Sequence, residues 1–328
     1  MRALISGITG FVGSHLAEYL LANTDWEIVG MCRWRSPLDN IQSLIPEINK
    51  NGRVRLVYAD LRDGIAVREA VEQANPTHVF HLAAQSYPKT SFSSPLDTLD
   101  TNVQGTVRLL DALRKSDAQI HVCSSSEVYG RAKKIPISED APFHPASPYA
   151  VSKVGADLMA RHYAEAYDMR IQVTRMFTHT GPRRGDVFAE SSFAKQIAMI
   201  EAGLIPPVVK VGNLKSLRTV ADVRDAVRAY HMLLTVNPVS GSYYNIGGSH
   251  TCTVGDILNT LLSMSTSKID VEVDPDRLRP VDADLQVPDC TKFKNHTGWQ
   301  PTIPFEQTMT DLLAYWRQQV KRGIPLQR

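Results

Sequence analysis

The sequence predicts an α/β fold built on a doubly wound parallel sheet, with a smaller C-terminal lobe. Three observations predict it. Short β-branched or apolar runs alternate with amphipathic stretches through the first half, a glycine-rich turn follows the first of those runs, and the rhythm breaks after Arg175. Length agrees, because 328 residues at about 150 per domain exceed what one open sheet needs.

Residues 3–6, 26–31, 54–58, 78–82, 120–124 and 171–176 read as buried strands. Residues 12–21 read as a helix with Val12, Leu16, Tyr19 and Leu20 on one face, and further helices are expected over 102–114 and 148–167. Strands separated by helices imply right-handed βαβ units, hence a parallel sheet. After Arg175, Gly181-Pro182-Arg183-Arg184-Gly185 and Leu204-Ile205-Pro206-Pro207 bring loop chemistry. Residues 220–234 then read as a helix and 242–246 as a strand able to return to the sheet. The sheet domain is therefore expected over 1–177, with 212–248 returning to it. The smaller lobe is expected over 178–211 and 249–328, including the polar stretch 274–280 and a closing helix over 305–320.

Charge nearly cancels, since 36 Lys and Arg less 34 Asp and Glu leave +2, and the 43% hydrophobic fraction suffices for a sizeable core. Nucleic-acid binding through a broad basic surface and disorder over most of the chain are thereby excluded. The four cysteines lie far apart with no C-x-x-C pair, which suggests neither a metal site nor a disulfide framework. The apolar start is interrupted by Gly7, Gly10, Gly13 and His15, unlike a signal peptide, and no stretch approaches membrane-span length. A reduced, cytoplasmic location without membrane association is the expectation.

Ser6-Gly7-Ile8-Thr9-Gly10-Phe11-Val12-Gly13 lies between the first strand and the first helix, the context of a dinucleotide-binding turn in a Rossmann sheet. Its glycines allow a tight turn and close approach to a pyrophosphate, and the helix start offers free N–H groups to it. Gly7, Thr9, Gly10, Phe11, Val12 and Gly13 are the candidate residues. An acidic residue about 20 positions past the last glycine would grip a ribose 2′-hydroxyl. This chain instead has Cys32-Arg33-Trp34-Arg35, so Arg33 and Arg35 point to a 2′-phosphate and to NADP in preference to NAD. Two solvated surface arginines are the plainer alternative.

Tyr149-Ala150-Val151-Ser152-Lys153 puts a phenol and an ammonium on one helix face. The ammonium is expected to favour phenolate and to lower the tyrosine pKa toward neutrality. Ser124-Ser125-Ser126-Glu127 sits at the carboxyl end of the preceding strand, where open α/β sheets place ligands. Glu127 is either an added carboxylate for chemistry or a solvated residue starting a turn.

The glycine turn, this strand end, Tyr149 with Lys153, and Thr101-Asn102-Val103-Gln104-Gly105-Thr106 resemble the extended short-chain dehydrogenases/reductases acting on nucleotide sugars, over nearly the whole chain. Within them the GDP-mannose 4,6-dehydratases are the most similar. That likeness rests on Ala84-Gln85-Ser86 with Ser91-Phe92-Ser93-Ser94-Pro95, Ser126-Glu127-Val128-Tyr129-Gly130, Ser147-Pro148-Tyr149-Ala150, Pro182-Arg183-Arg184-Gly185, and Gly212-Asn213-Leu214 followed by Arg218. The 193–197 and 220–225 segments and the Ser-Ser-Glu strand end also resemble GDP-4-keto-6-deoxy-mannose reductases, so an NADPH-dependent 4-reductase or an epimerase is the alternative. The resemblance implies that Tyr149 takes the sugar 4-hydroxyl proton, Lys153 tunes it and holds the nicotinamide ribose, Ser125 hydrogen-bonds the C4 oxygen, and Glu127 removes the C5 proton. It further implies Asp60, Leu61, Leu82, Ala83 and Ala84 at the cofactor. Ser86, Ser126, Thr178, Arg184, Arg218 and Arg279 are implied at a nucleotide sugar, GDP-linked, and a homodimer or homotetramer as the assembly. Asn102 is expected to organise active-site backbone rather than touch substrate, and His81 is given no role.

Three positions depart from the dehydratase pattern. Thr178 stands where an asparagine is usual, Ser191-Ser192 where a basic pair follows the Phe188 motif, and Thr219-Val220 where Asp-Trp follows the arginine. They leave the reaction chemistry intact and leave the base and the sugar, hexose or heptose, open.

Overall fold

The computed structural model describes residues 1–50, 52–278 and 283–323. Six strands, β1 (Arg2–Ser6), β2 (Glu27–Cys32), β3 (Val54–Tyr58), β4 (His78–His81), β5 (Gln119–Cys123) and β6 (Ile171–Met176), pair in parallel in the order β6-β5-β4-β1-β2-β3. Tyr243–Ile246 adds a seventh parallel strand beside β6. Strand order reverses between β1 and β4, which opens a crevice at the carboxyl ends of the strands.

Each face of the sheet is covered by helices whose apolar stripes recur at helical spacing. Helix α1 (Phe11–Asn23) and Val223–Thr235 bury Leu16, Leu20, Val227, Tyr230 and Leu233 on one side. Gly64–Ala74, Gly105–Leu113 and Pro148–Tyr167 bury Val67, Val71, Leu109, Leu113, Ala160 and Tyr163 on the other. A separate core, with Phe193, Ile197, Val209, Leu258, Leu312 and Trp316, holds the smaller lobe together. There Leu217–Asp222 pairs antiparallel with His250–Thr253, and Val208–Val211 pairs parallel with Asp270–Val273.

The elements differ from the sequence expectation in instructive places. The helix expected over 220–234 begins only at Val223, because the Asp222 carboxylate accepts the Arg224 N–H at 2.8 Å as an N-cap and the preceding residues pair with 250–253. Regular α-helix in the 102–114 segment is confined to Gly105–Leu113, and Asp100–Gln104 winds as a wider π turn. Helix Gly64–Ala74 escaped the sequence reading, although Asp63 caps it through the N–H groups of Ile65 and Ala66. Among the described residues no helix is long and apolar enough to cross a membrane.

Candidate active site

The crevice deepens into one cleft of about 2610 Å³ between the sheet and the smaller lobe. Ligand pockets for single drug-sized molecules run about 300–1,000 Å³, so this one has space for two ligands. Its sheet-side floor is the glycine turn. Gly7 adopts φ +78°, and a Cβ there would meet the Ala83 backbone at 2.9 Å, which only glycine avoids. The turn is tied by Gly7 N–H to Met31 O and Gly10 N–H to Gly7 O. Thr9, Gly10, Phe11, Val12, Gly13, Leu82, Ala83 and Ala84 line the cleft beside it.

Arg33 lines the same region, whereas Arg35 does not: its guanidinium stacks on the exposed Trp34 ring at 4.3 Å. Asp60 and Leu61 also line the cleft. The Asp60 carboxylate is held low in its range by the Arg62 guanidinium, which bonds both its oxygens. A cradle that a Cβ would fill, a helix start behind it and a cation at the end of β2 form a donor set that fits a phosphorylated dinucleotide.

The reactive side chains stand on the β5 end and on helix Pro148–Tyr167. Ser147 caps this helix by accepting the Ala150 N–H at 3.1 Å with Pro148 in the first turn, which seats Tyr149 one residue inside. The Tyr149 N–H donates to Ser91 Oγ at 3.0 Å. Lys153 Nζ donates to the Cys123 carbonyl at 2.8 Å and lies 6.0 Å from the Tyr149 ring centre. Ser125 caps the short turn Ser126–Val128 that carries Glu127. Gly130, at φ +46°, ends that turn against the His144 backbone. Ser125, Ser126, Glu127, Tyr149 and Lys153 all line the cleft.

One expectation is corrected here. Burial drives the Tyr149 phenol above its ordinary range, and the Ser125 hydroxyl and Arg184 guanidinium only partly oppose this. Lys153 does not bring the phenol toward neutrality. Burial lowers the lysine's own pKa, and one of its three N–H donors is spent on the Cys123 carbonyl.

Asn102 fills its expected role: its amide bonds the Gln85 N–H at 2.8 Å, the Gln85 carbonyl at 2.9 Å and Ser152 Oγ at 2.8 Å. His81 is a core residue between Ser6 and Thr106 hydroxyls, with its pKa pushed down to about 3 by burial.

Ser86, Thr178, Arg184 and Arg218 line the cleft's other half, and Arg279 lies outside the described residues. Arg184 is a buried guanidinium stacked on Phe188 at 3.4 Å, near Phe11, and 3.4 Å from Glu190. Its Nε faces the Glu190 carboxylate at that distance without hydrogen-bond geometry, and burial lowers its pKa while Glu190 opposes the shift. Arg218 is anchored by the Leu217 and Ala283 carbonyls. Sequence reasoning missed Lys89, His179, Lys195 and Arg277 in the lining. Of these only the Asp-Arg pair within the polar 274–280 stretch carried a local signal.

A family model described as GDP-mannose 4,6 dehydratase matches residues 4–312. The chain belongs to the GDP-mannose 4,6-dehydratase family. It is 31% identical to the GDP-mannose 4,6 dehydratase of Drosophila melanogaster, over 95% of this chain and 85% of that protein. It is 30% identical to the GDP-6-deoxy-D-mannose reductase of Pseudomonas aeruginosa, over 98% of each. Among solved structures, that of RMD from Pseudomonas aeruginosa complexed with NADPH superposes with a TM-score of 0.82 at 28% identity, over 97% of this chain and all of that one. A UDP-glucuronic acid 4-epimerase from Bacillus cereus reaches 0.85 at 25% identity, over 97% and 99%.

Proposed function

We propose that this protein is an NADP-dependent nucleotide-sugar 4,6-dehydratase that converts GDP-mannose, or a close relative, to the 4-keto-6-deoxy sugar nucleotide. The observation that carries the reading is the carboxylate of Glu127, close enough to Tyr149 to raise the cost of ionising its phenol, in the same cleft as Ser125 and Lys153. Reduction or epimerisation at C4 needs a proton-transferring phenol and its helpers. Elimination needs a further base, which Glu127 supplies in this reading; a reductase that carries the same Ser-Ser-Glu strand end has the carboxylate without requiring it.

In this reading Tyr149 takes the 4-hydroxyl proton while Ser125 hydrogen-bonds the C4 oxygen. Glu127 then removes the C5 proton, now acidic beside a ketone, and hands a proton to the C6 hydroxyl, which leaves as water; as hydride comes back to C6, the proton held by Tyr149 passes to C5 and both residues end as they began. NADP, when bound, would supply the hydride acceptor for C4 and the donor that returns the hydride to C6, and its positive charge in the cleft would favour the phenolate that burial disfavours. Lys153, held by Cys123, fixes the polar end of the nicotinamide half. Arg33 would hold the 2′-phosphate and Arg184 and Arg218 the diphosphate, with Ser86, Ser126 and Thr178 beside the sugar nucleotide.

The 30% identity with a reductase over 98% of both chains supports a second reading, NADPH-dependent 4-keto reduction on the same residues. Cofactor stoichiometry separates the two. A dehydratase converts many equivalents of GDP-mannose on catalytic NADP, whereas a reductase leaves GDP-mannose untouched and oxidises NADPH one for one with a 4-keto substrate.

For the assembly, the proposal is a homodimer through helix Pro148–Tyr167. Val151 and Leu158, each 48% exposed, share one of its faces with partly buried Val154 and Gly155, an apolar stripe on an otherwise wet surface. For the compartment, Cys32, Cys123, Cys252 and Cys290 are all free thiols, which supports a reducing cytoplasm.

A further inference from the structure

We propose that Arg183 is a positioning residue that latches the dinucleotide into its half of the cleft. The proposal rests on the reading that residues 7–13 hold a dinucleotide, and it concerns how long that dinucleotide stays.

Three segments meet at this one guanidinium. Its Nη1 donates to the Asn40 carbonyl and to Glu18 Oε1, both at 2.9 Å, and its Nη2 reaches the second Glu18 oxygen. Nη2 also donates to His15 Nδ1 at 2.6 Å. His15 Nε2 lies 2.8 Å from the Pro182 carbonyl and 3.2 Å from Arg183 Nε, so the imidazole, kept neutral by burial, is wedged between the guanidinium and its own loop. Arg183 therefore ties the loop that carries Arg184 both to helix α1 and to the segment that follows β2.

That segment is the informative partner. Residues 36 and 37, 39 and 40, and 42 and 43 line the cleft directly beyond Arg33, and Asn40 Nδ2 donates to the Thr9 carbonyl within the glycine turn at 3.1 Å. Ser43 Oγ bonds the same Glu18 carboxylate. The segment cannot swing away from the glycine turn without breaking the Asn40 contact to Arg183. The backbone of Arg183 carries its own sign of constraint, with φ +72° in the left-handed region that a residue with a long side chain rarely adopts. The conformation closes a turn in which the Arg184 N–H reaches the Gly181 carbonyl across Pro182-Arg183, and it holds the side chain, 14% exposed, against its partners on α1 and residue 40.

A cross-lobe latch on the cofactor side suits one kind of reaction. When hydride is taken from and returned to the same sugar, the dinucleotide ends each cycle as it began, so slow release costs no turnover. A reaction that consumes NADPH must exchange it every cycle, and a latch would slow it.

The test is NADPH release from the purified protein without any sugar nucleotide, followed by fluorescence on mixing with excess NADP. Arg183→Met is expected to release NADPH at least about tenfold faster than the parent, the loss of one or two charge-assisted contacts. The KM for NADP should rise in step while kcat falls by less than about threefold, and Arg183→Lys should recover part of the loss. Glu18→Gln, which keeps the Asn40 contact, should give a smaller acceleration and serves if Arg183→Met does not fold. Release at the parent rate in Arg183→Met, or in Glu18→Gln should that be the only folded variant, overturns the latch. So does a KM increase confined to the sugar nucleotide. Failure of the underlying reading looks different: the parent protein itself would show no NADPH fluorescence change.

Discussion

Lys153 Nζ donates to the backbone carbonyl of Cys123 at 2.8 Å, which anchors the ammonium to the carboxyl end of β5. The lysine therefore braces helix Pro148–Tyr167 against the sheet. Burial raises the phenol's pKa, so that it keeps its proton, and lowers that of the ammonium, whose charge it disfavours.

Tyr149→Phe should lower kcat by about a hundredfold or more with the fold intact, because it removes only the proton-transferring oxygen. Lys153→Met should do the same and in addition weaken NADP binding. Steady-state kinetics beside NADPH titration checks both; a Tyr149→Phe variant within threefold of the parent would remove the phenol from the chemistry.

The two arginines after β2 are expected to behave differently despite their identical chemistry. Arg33→Ala should weaken NADPH binding by about tenfold to a hundredfold, the worth of a charge-assisted contact, with little effect on NADH. Arg35→Ala should change it by less than about threefold, since that guanidinium stacks on Trp34 outside the cleft lining. Equal losses in a titration of both variants would contradict this placement.

Glu201 joins helices Ala189–Glu201 and Phe305–Lys321 of the smaller lobe through Arg317, at 2.7 and 2.8 Å. Arg317, with the Thr266 N–H and Ser265 hydroxyl, holds its carboxyl well below the ordinary carboxylate range, at about 2. A depressed folded-state pKa gives stability that is present above the unfolded value and lost as pH falls through the folded one. Glu201→Gln should therefore cost about 1–2 kcal/mol at pH 7, discounted because Arg317 is 39% exposed, and the difference should shrink between about pH 4.5 and 2. Urea midpoints of both proteins across that range check it.

Much of this site could be read along the chain because its signals are local. Ser147-Pro148 writes a helix start, Tyr149 and Lys153 share a face by spacing, and a strand followed by glycines announces the turn at Gly7. What sequence reasoning missed depends on contacts between segments far apart in the chain. Burial, a property of the folded cleft, reverses the direction expected for Tyr149. Arg33 and Arg35 diverge only once the turn after Cys32 is built. Arg183 meets Asn40 across 143 positions, and no local pattern records it.

The central claim is that Glu127 is the base for elimination, and Glu127→Gln tests it most directly. Mixed with NADP and GDP-mannose, this variant should still bind the cofactor and develop up to one equivalent of the near-ultraviolet absorbance of reduced dinucleotide per site. It should form 4-keto-6-deoxy product at least about a hundredfold more slowly than the parent. Product formation at the parent rate by Glu127→Gln would contradict the account.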